Sequence, residues 1–145
     1  SCISVNHVVC HGIPGDKVLS NGDILNIDVT VILDGWYGDT SRMYVAGKAS
    51  IKAKRLIQVT HDALMKGIEA VRPGATFGDI GAAIQSYAEG RGMSVVRDFC
   101  GHGLGRTEAS PWLRLRRAAV VDRGRDGGAH GRSPSVRGPS RWRPR

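Results

Sequence analysis

Residues 26–43 read NIDVTVILDGWYGDTSRM and place carboxylates inside a run of β-branched and apolar side chains. Asp28 lies between Ile27 and Val29, where a strand has little use for a charge, and Asp39 lies just past a turn. From Ile24 the chain alternates. Leu25, Ile27, Val29, Val31 and Leu33 make one apolar face; Ile24, Asn26, Asp28, Thr30 and Ile32 make the other. Asp34-Gly35 is a two-residue hairpin turn, because both central positions of a type I′ turn take positive φ. Closure there predicts Leu33 opposite Trp36, Thr30 opposite Asp39 and Asp28 opposite Ser41. Asp28 and Asp39 then become diagonal neighbours on one face, roughly 7–8 Å apart at the backbone. Two carboxylates converging on a partly buried face repel, so something positive belongs between them, either an Arg or a metal. A pair of divalent ions about 3.5–4 Å apart suits the spacing. Asp34 keeps the ordinary reading of a solvated turn residue.

The surrounding chain has 145 residues, the length of one domain with a real core. It contains no apolar run long enough for a transmembrane helix and no signal peptide. It opens on SCISVNHVVC, which already reads as a strand and does not begin with Met, so a natural start further upstream is expected. The three cysteines, Cys2, Cys10 and Cys100, are odd in number and lack CxxC spacing. That argues against a disulfide scaffold or a structural zinc site and for a reducing cytoplasm. The net charge of +8 sits almost wholly at one end. Residues 1–106 carry 11 basic and 10 acidic side chains, whereas residues 107–145 carry 10 Arg and 3 acids. A basic face shaped for a specific nucleic acid is therefore not expected.

Two helices should follow the hairpin. Ser50 caps the first, which runs to about Val71 on a stripe of Leu56, Ile57, Val59, Ala63, Leu64, Ile68 and Val71, and Pro73-Gly74 stops it. Thr76 and Asp79 form a capping box for the second, which carries Phe77, Ile80, Ile84, Tyr87 and Ala88. Both stripes read as core packing. Residues 94–99 read as a strand leading into CGHGLGR, residues 100–106. The order is strand, hairpin, helix, helix, strand: an α+β pattern with helices on one face of an antiparallel sheet. After Arg106 the composition changes. Residues 107–145 lack Ile, Phe, Met, Tyr, Lys, Asn, Gln and Cys and are rich in Arg and Gly. Such a segment cannot bury enough apolar surface to offset its ordering entropy. Disorder is expected for most of it, with WLRLRRAAVV the one stretch able to attempt a helix.

Two histidines complete the chemistry. His11 stands at a strand end in VVCHGIPGD, and His102 is flanked by glycines that expose its ring. One imidazole with two converging carboxylates is the donor set expected for Mn, Fe, Co or Zn. The segments CISVNHVVCHGIP, GDILNIDVTVILDGWYGDTSRMY, IGAAIQ and SVVRDFCGHGLGR together resemble the type I methionine aminopeptidases, over residues 1–106 nearly throughout. The resemblance implies a pita-bread (creatinase/aminopeptidase) fold around two divalent metal ions. It implies Asp28 as a ligand of one metal, Asp39 as the bridging carboxylate and His102 as the imidazole ligand of the other. His11 resembles the catalytic histidine that contacts substrate without binding metal, and Cys2 a residue of the methionine pocket. Asn6 and Val8 resemble positions near a monovalent cation. His7 departs from the acidic residue common there.

The resemblance also implies a further histidine in a Phe-His segment after GHGLGR and two metal-binding glutamates, one of them the proton shuttle. These motifs are absent, and Glu108 and His130 stand in unrelated contexts. Three of five expected ligands are present. The expected organisation is a partial pita-bread domain over 1–106 and an Arg-rich tail over 107–145 that reads like a coding sequence translated out of frame. The expected function is metal-dependent removal of the N-terminal methionine by a cytoplasmic monomer, this copy being incomplete and inactive. The implied partners are nascent polypeptides and, through them, the ribosome. The competing readings are a Xaa-Pro dipeptidase of the same fold and a non-catalytic module that binds RNA or ribosomes through its tail. The dipeptidase reading is disfavoured by VCHGIP and GHGLGR. The binding module has no need of Asp28, Asp39 and His102.

Overall fold

The computed structural model describes residues 1–97, 100–106, 114–116 and 120–122. The alternating stretch forms β2 (Ile24–Leu33), the turn follows, and β3 (Trp36–Val45) returns antiparallel to it. Asp34 and Gly35 take φ of 51° and 80°, the left-handed pair that the turn requires. The register is the expected one: Leu33 opposes Trp36, Thr30 opposes Asp39 and Asp28 opposes Ser41. A short strand, β1 (Cys2–Val5), adds to the other edge of β2 and sets Cys2 opposite Asp28. The three strands form one antiparallel sheet in the order β1-β2-β3.

Helix α1 (Ile51–Glu69) begins where Ser50 accepts a hydrogen bond from the Ala53 amide. Helix α2 (Phe77–Glu89) begins with the expected capping box. The Thr76 hydroxyl accepts from the Asp79 amide, while the Asp79 carboxylate accepts from the Thr76 amide at 2.7 Å. Strand β4 (Met93–Val95) follows. The buried cluster lies between the two helices and β4: Val59, Ala63, Ile84, Ala88, Met93 and Val95, flanked by Leu56, Ile80 and Tyr87. Gly67 is part of that contact, since a Cβ there would come within 2.8 Å of the Ile84 side chain.

Three expectations need correction. The apolar stripe of α1 is really two rows. Leu56, Val59, Ala63 and Gly67 turn toward α2, but Leu64 and Ile68 are each 53% exposed, and the helix ends at Glu69, before the expected Val71, which is 64% exposed. A 19-residue helix offers more apolar circumference than one partner helix can cover. Second, the strand expected over 94–99 is shorter and starts at Met93; Asp98 and Phe99 lie outside the described residues. Third, the described pieces of the tail are strands rather than helix. β6 (Arg114–Arg116) pairs antiparallel with β5 (Cys100–His102), and β7 (Val120–Asp122) pairs antiparallel with β4. Each supplies ladder partners to a short strand that would otherwise present an open edge. The expected disorder concerns the rest of 107–145, which lies outside the described residues. Among the described residues, no helix is long and apolar enough to cross a membrane.

Candidate metal centre

The hairpin register puts Asp28 and Asp39 on one face, and their side chains interact. Burial, the Asp39 charge and a carboxyl–carboxylate hydrogen bond to Asp39 together raise the Asp28 carboxyl above its ordinary value; His11 and the chain's amino terminus pull the other way. That is the signature of two acids held together without enough positive charge between them. The Thr30 hydroxyl donates to Asp39 Oδ1 at 3.1 Å.

Oδ2 turns toward His102, whose Nε2 lies 3.8 Å away; the two side chains are 25% and 39% exposed. The other ring nitrogen, Nδ1, lies 3.2 Å from the Gly103 carbonyl oxygen. A carbonyl only accepts, so Nδ1 carries the hydrogen of that bond. In neutral His102 this leaves a lone pair on Nε2 facing a carboxylate oxygen. Two acceptors in that arrangement are reconciled by a proton or by a cation. A histidine that gives its second N–H to a backbone carbonyl is also the arrangement that fixes a metal-ligating tautomer. The donor set therefore fits a divalent ion on chemistry. As they stand, the three donors do not close on one point: among the described residues no three His, Cys, Asp or Glu side chains are gathered closely enough to hold an ion.

The remaining expected residues divide into two groups. His11 is brought to the carboxylates, near enough to lower the cost of charging Asp28. It takes a left-handed φ of 55° in a turn that folds back onto β1, where the Ile3 amide donates to the Gly12 carbonyl at 2.8 Å. Any side chain at Gly12 would strike the Ile3 carbonyl, with a Cβ only 2.1 Å from its oxygen. Cys2 lies on the Asp28 face by register. Asn6 and Val8 are not brought to the carboxylates. Asn6 bridges Asp23, at 2.8 Å, and the Ile24 amide, at 3.1 Å. Its partner Ile24 lies four residues, about 13 Å, along β2 from Asp28. Val8 closes a turn on Val5.

Sequence reasoning missed Cys10, whose thiol is pushed up by burial and then by the charges of Asp28 and Cys2. Its neighbour His11 was the available signal. It also missed the ties between the His102 loop and the hairpin. The Tyr37 amide donates to the Gly105 carbonyl at 2.9 Å, and the Arg106 guanidinium stands 5.0 Å from the centre of the Trp36 ring.

Comparison with known proteins gives this geometry a context. The family model described as metallopeptidase family M24 matches residues 1–125. The methionine aminopeptidase of Rickettsia prowazekii is 76% identical over 105 residues, covering 72% of this chain and 40% of the relative. Its crystal structure superposes with a TM-score of 0.74 at 66% identity, over 88% of this chain and 49% of that one. A prolidase from Pyrococcus furiosus shares the fold at 22% identity, with a TM-score of 0.72 over 81% of this chain and 36% of its own. The chain thus spans about two fifths of the length of the curated relative.

Proposed function

This chain belongs to metallopeptidase family M24, and from that membership we propose that it carries part of a methionyl aminopeptidase centre that removes the N-terminal methionine of newly made polypeptides. The observation that carries the proposal is the facing of His102 Nε2 and Asp39 Oδ2 across 3.8 Å, with Asp28 on the same face. High identity to methionine aminopeptidases supports it over the dipeptidase reading, for which the likeness extends to fold alone.

Asp28, Asp39 and His102 would hold divalent ions, two in the complete centre, of Co, Mn, Fe or Zn. Bound there, such ions supply hydroxide at neutral pH and polarise the scissile carbonyl. The protein's own groups do the rest. Asp39 is steadied by Thr30, so one oxygen is fixed while the other is presented to the site. His102 is held in one tautomer by the Gly103 carbonyl. His11, exposed and close enough to Asp28 to ease its charging, would donate a hydrogen bond to a developing oxyanion. Cys2 lines the same face and offers the apolar thiol that a methionine side chain would meet. Asn6 and Val8 are proposed to stand near a monovalent cation away from the catalytic face. The cytoplasm is the proposed compartment.

Three donors out of five limit what residues 1–106 can do alone. The test is methionine release from a Met-Gly-Met peptide with added Mn or Co. The 145-residue chain is expected to show little turnover. A chimera joining residues 1–105 to the remainder of the Rickettsia relative is expected to turn over in a metal-dependent way. In it Asp39→Ala abolishes activity, while His11→Ala lowers kcat by about 10²–10³-fold and leaves metal affinity unchanged. An inactive, well-folded chimera would sink the proposal.

A further inference from the structure

The segment that presents His102 has little to hold it. Strand β5 is only three residues long, and its ladder with β6 ends at His102, whose partner is Arg114. Beyond His102 come Gly103, Leu104 and Gly105; the glycines are loose in the unfolded chain, and Leu104 is 45% exposed and so no apolar anchor. A ligand carried on such a loop drifts from productive geometry unless something beyond it is fixed, since a site loose by about 1 Å fails.

Two contacts fix it. The Tyr37 amide donates to the Gly105 carbonyl at 2.9 Å, and the Arg106 guanidinium lies 5.0 Å from the Trp36 ring centre, inside the roughly 6 Å reach of a cation–π contact. Trp36 and Tyr37 open β3, the strand that carries Asp39. The two segments bearing the facing donors are thus cross-tied within a few residues of those donors. We infer that Trp36 and Arg106 are positioning residues: their stacking, next to the Tyr37–Gly105 hydrogen bond, holds the loop so that His102 faces Asp39. The inference rests on the metal-centre reading for its purpose but on the hairpin–loop contacts for its existence.

The test uses the full chain in two measurements, amide hydrogen exchange and calorimetric titration with Mn. Trp36→Ala and Arg106→Met are each expected to speed exchange at Tyr37 and residues 103–106 by about tenfold or more while leaving α1 and α2 unchanged. Each is expected to weaken Mn binding about 10-fold, the low end for losing a support of a metal ligand. The double variant is expected to be no worse than either single one, because both remove one shared contact. Trp36→Phe, which keeps a ring face, is expected to restore protection and affinity. Unchanged loop exchange in both variants would overturn the inference, and so would faster exchange with unchanged Mn affinity. Should Trp36→Ala not fold, Arg106→Met on its exposed side chain decides alone. A parent chain that binds no Mn counts against the metal-centre reading instead; the clamp is then decided by loop exchange and by whether Arg106→Met removes the nuclear Overhauser contact between the His102 ring and β3.

Discussion

At the scale of single residues, the Gly103 carbonyl does more for His102 than orient it. By taking the Nδ1 hydrogen it turns Nε2 into an electron-pair donor aimed at a carboxylate, an arrangement that needs a positive partner. Asp28 carries the complementary strain, because its carboxyl is raised by burial and by Asp39. Asp28→Asn removes one of the two repelling charges. It is expected to stabilise the metal-free chain by a few tenths to about 1 kcal/mol, the range left after solvent screening, and to abolish any stabilisation by added Mn. Urea unfolding with and without Mn checks both; a variant less stable than the parent in the absence of metal would count against crowded carboxylates. The two aspartates were legible in the sequence because the period of a strand and the chemistry of Asp-Gly are local. Cys10 and the left-handed His11 were not, because the turn that places them closes through the Ile3–Gly12 hydrogen bond, a contact between segments.

At the scale of elements, the caps were readable because they are written in adjacent residues, and the burial of α1 was not, because it depends on how wide a partner α2 is. Ile84 fills the gap over Gly67, so Ile84→Ala is expected to cost about 2–5 kcal/mol in urea unfolding. Asp79 gives the second helix a pH dependence. Its carboxyl is held below the ordinary 3.8 by the Thr76 amide and then the Thr76 hydroxyl. A lowered folded value means that the unfolded chain binds the proton more tightly, so this stabilisation is full above pH about 4 and is lost as pH falls through the folded value. Asp79→Asn is expected to lower the melting temperature at pH 7, where the Asp79 contribution is fully present, and to differ less and less from the parent as pH falls from 5 to 2, flattening the acid limb; an unaltered acid limb would contradict this. The strands β6 and β7 escaped the sequence reading because three-residue strands have no period of their own and are set by the edges they meet.

At the scale of the whole molecule, the sheet and the helical core have different fates. The helices bury their cluster with β4, whereas the tip of the hairpin leaves Val31, Leu33 and Trp36 at 57%, 73% and 54% exposure. Exposed apolar surface beside a sheet edge favours self-association. Leu33→Lys, at the tip and away from the donors, is expected to shift sedimentation of the concentrated chain toward the monomer; an unchanged distribution would place the sticky surface elsewhere. The family's fold was legible because four segments of residues 1–106 carry it. The most direct test of the metal centre is calorimetric titration of Mn into the 145-residue chain at neutral pH, beside Asp39→Ala. The geometry predicts a single weak site that disappears in the variant. Identical heats from parent and variant, or two tightly bound ions per chain, would contradict it.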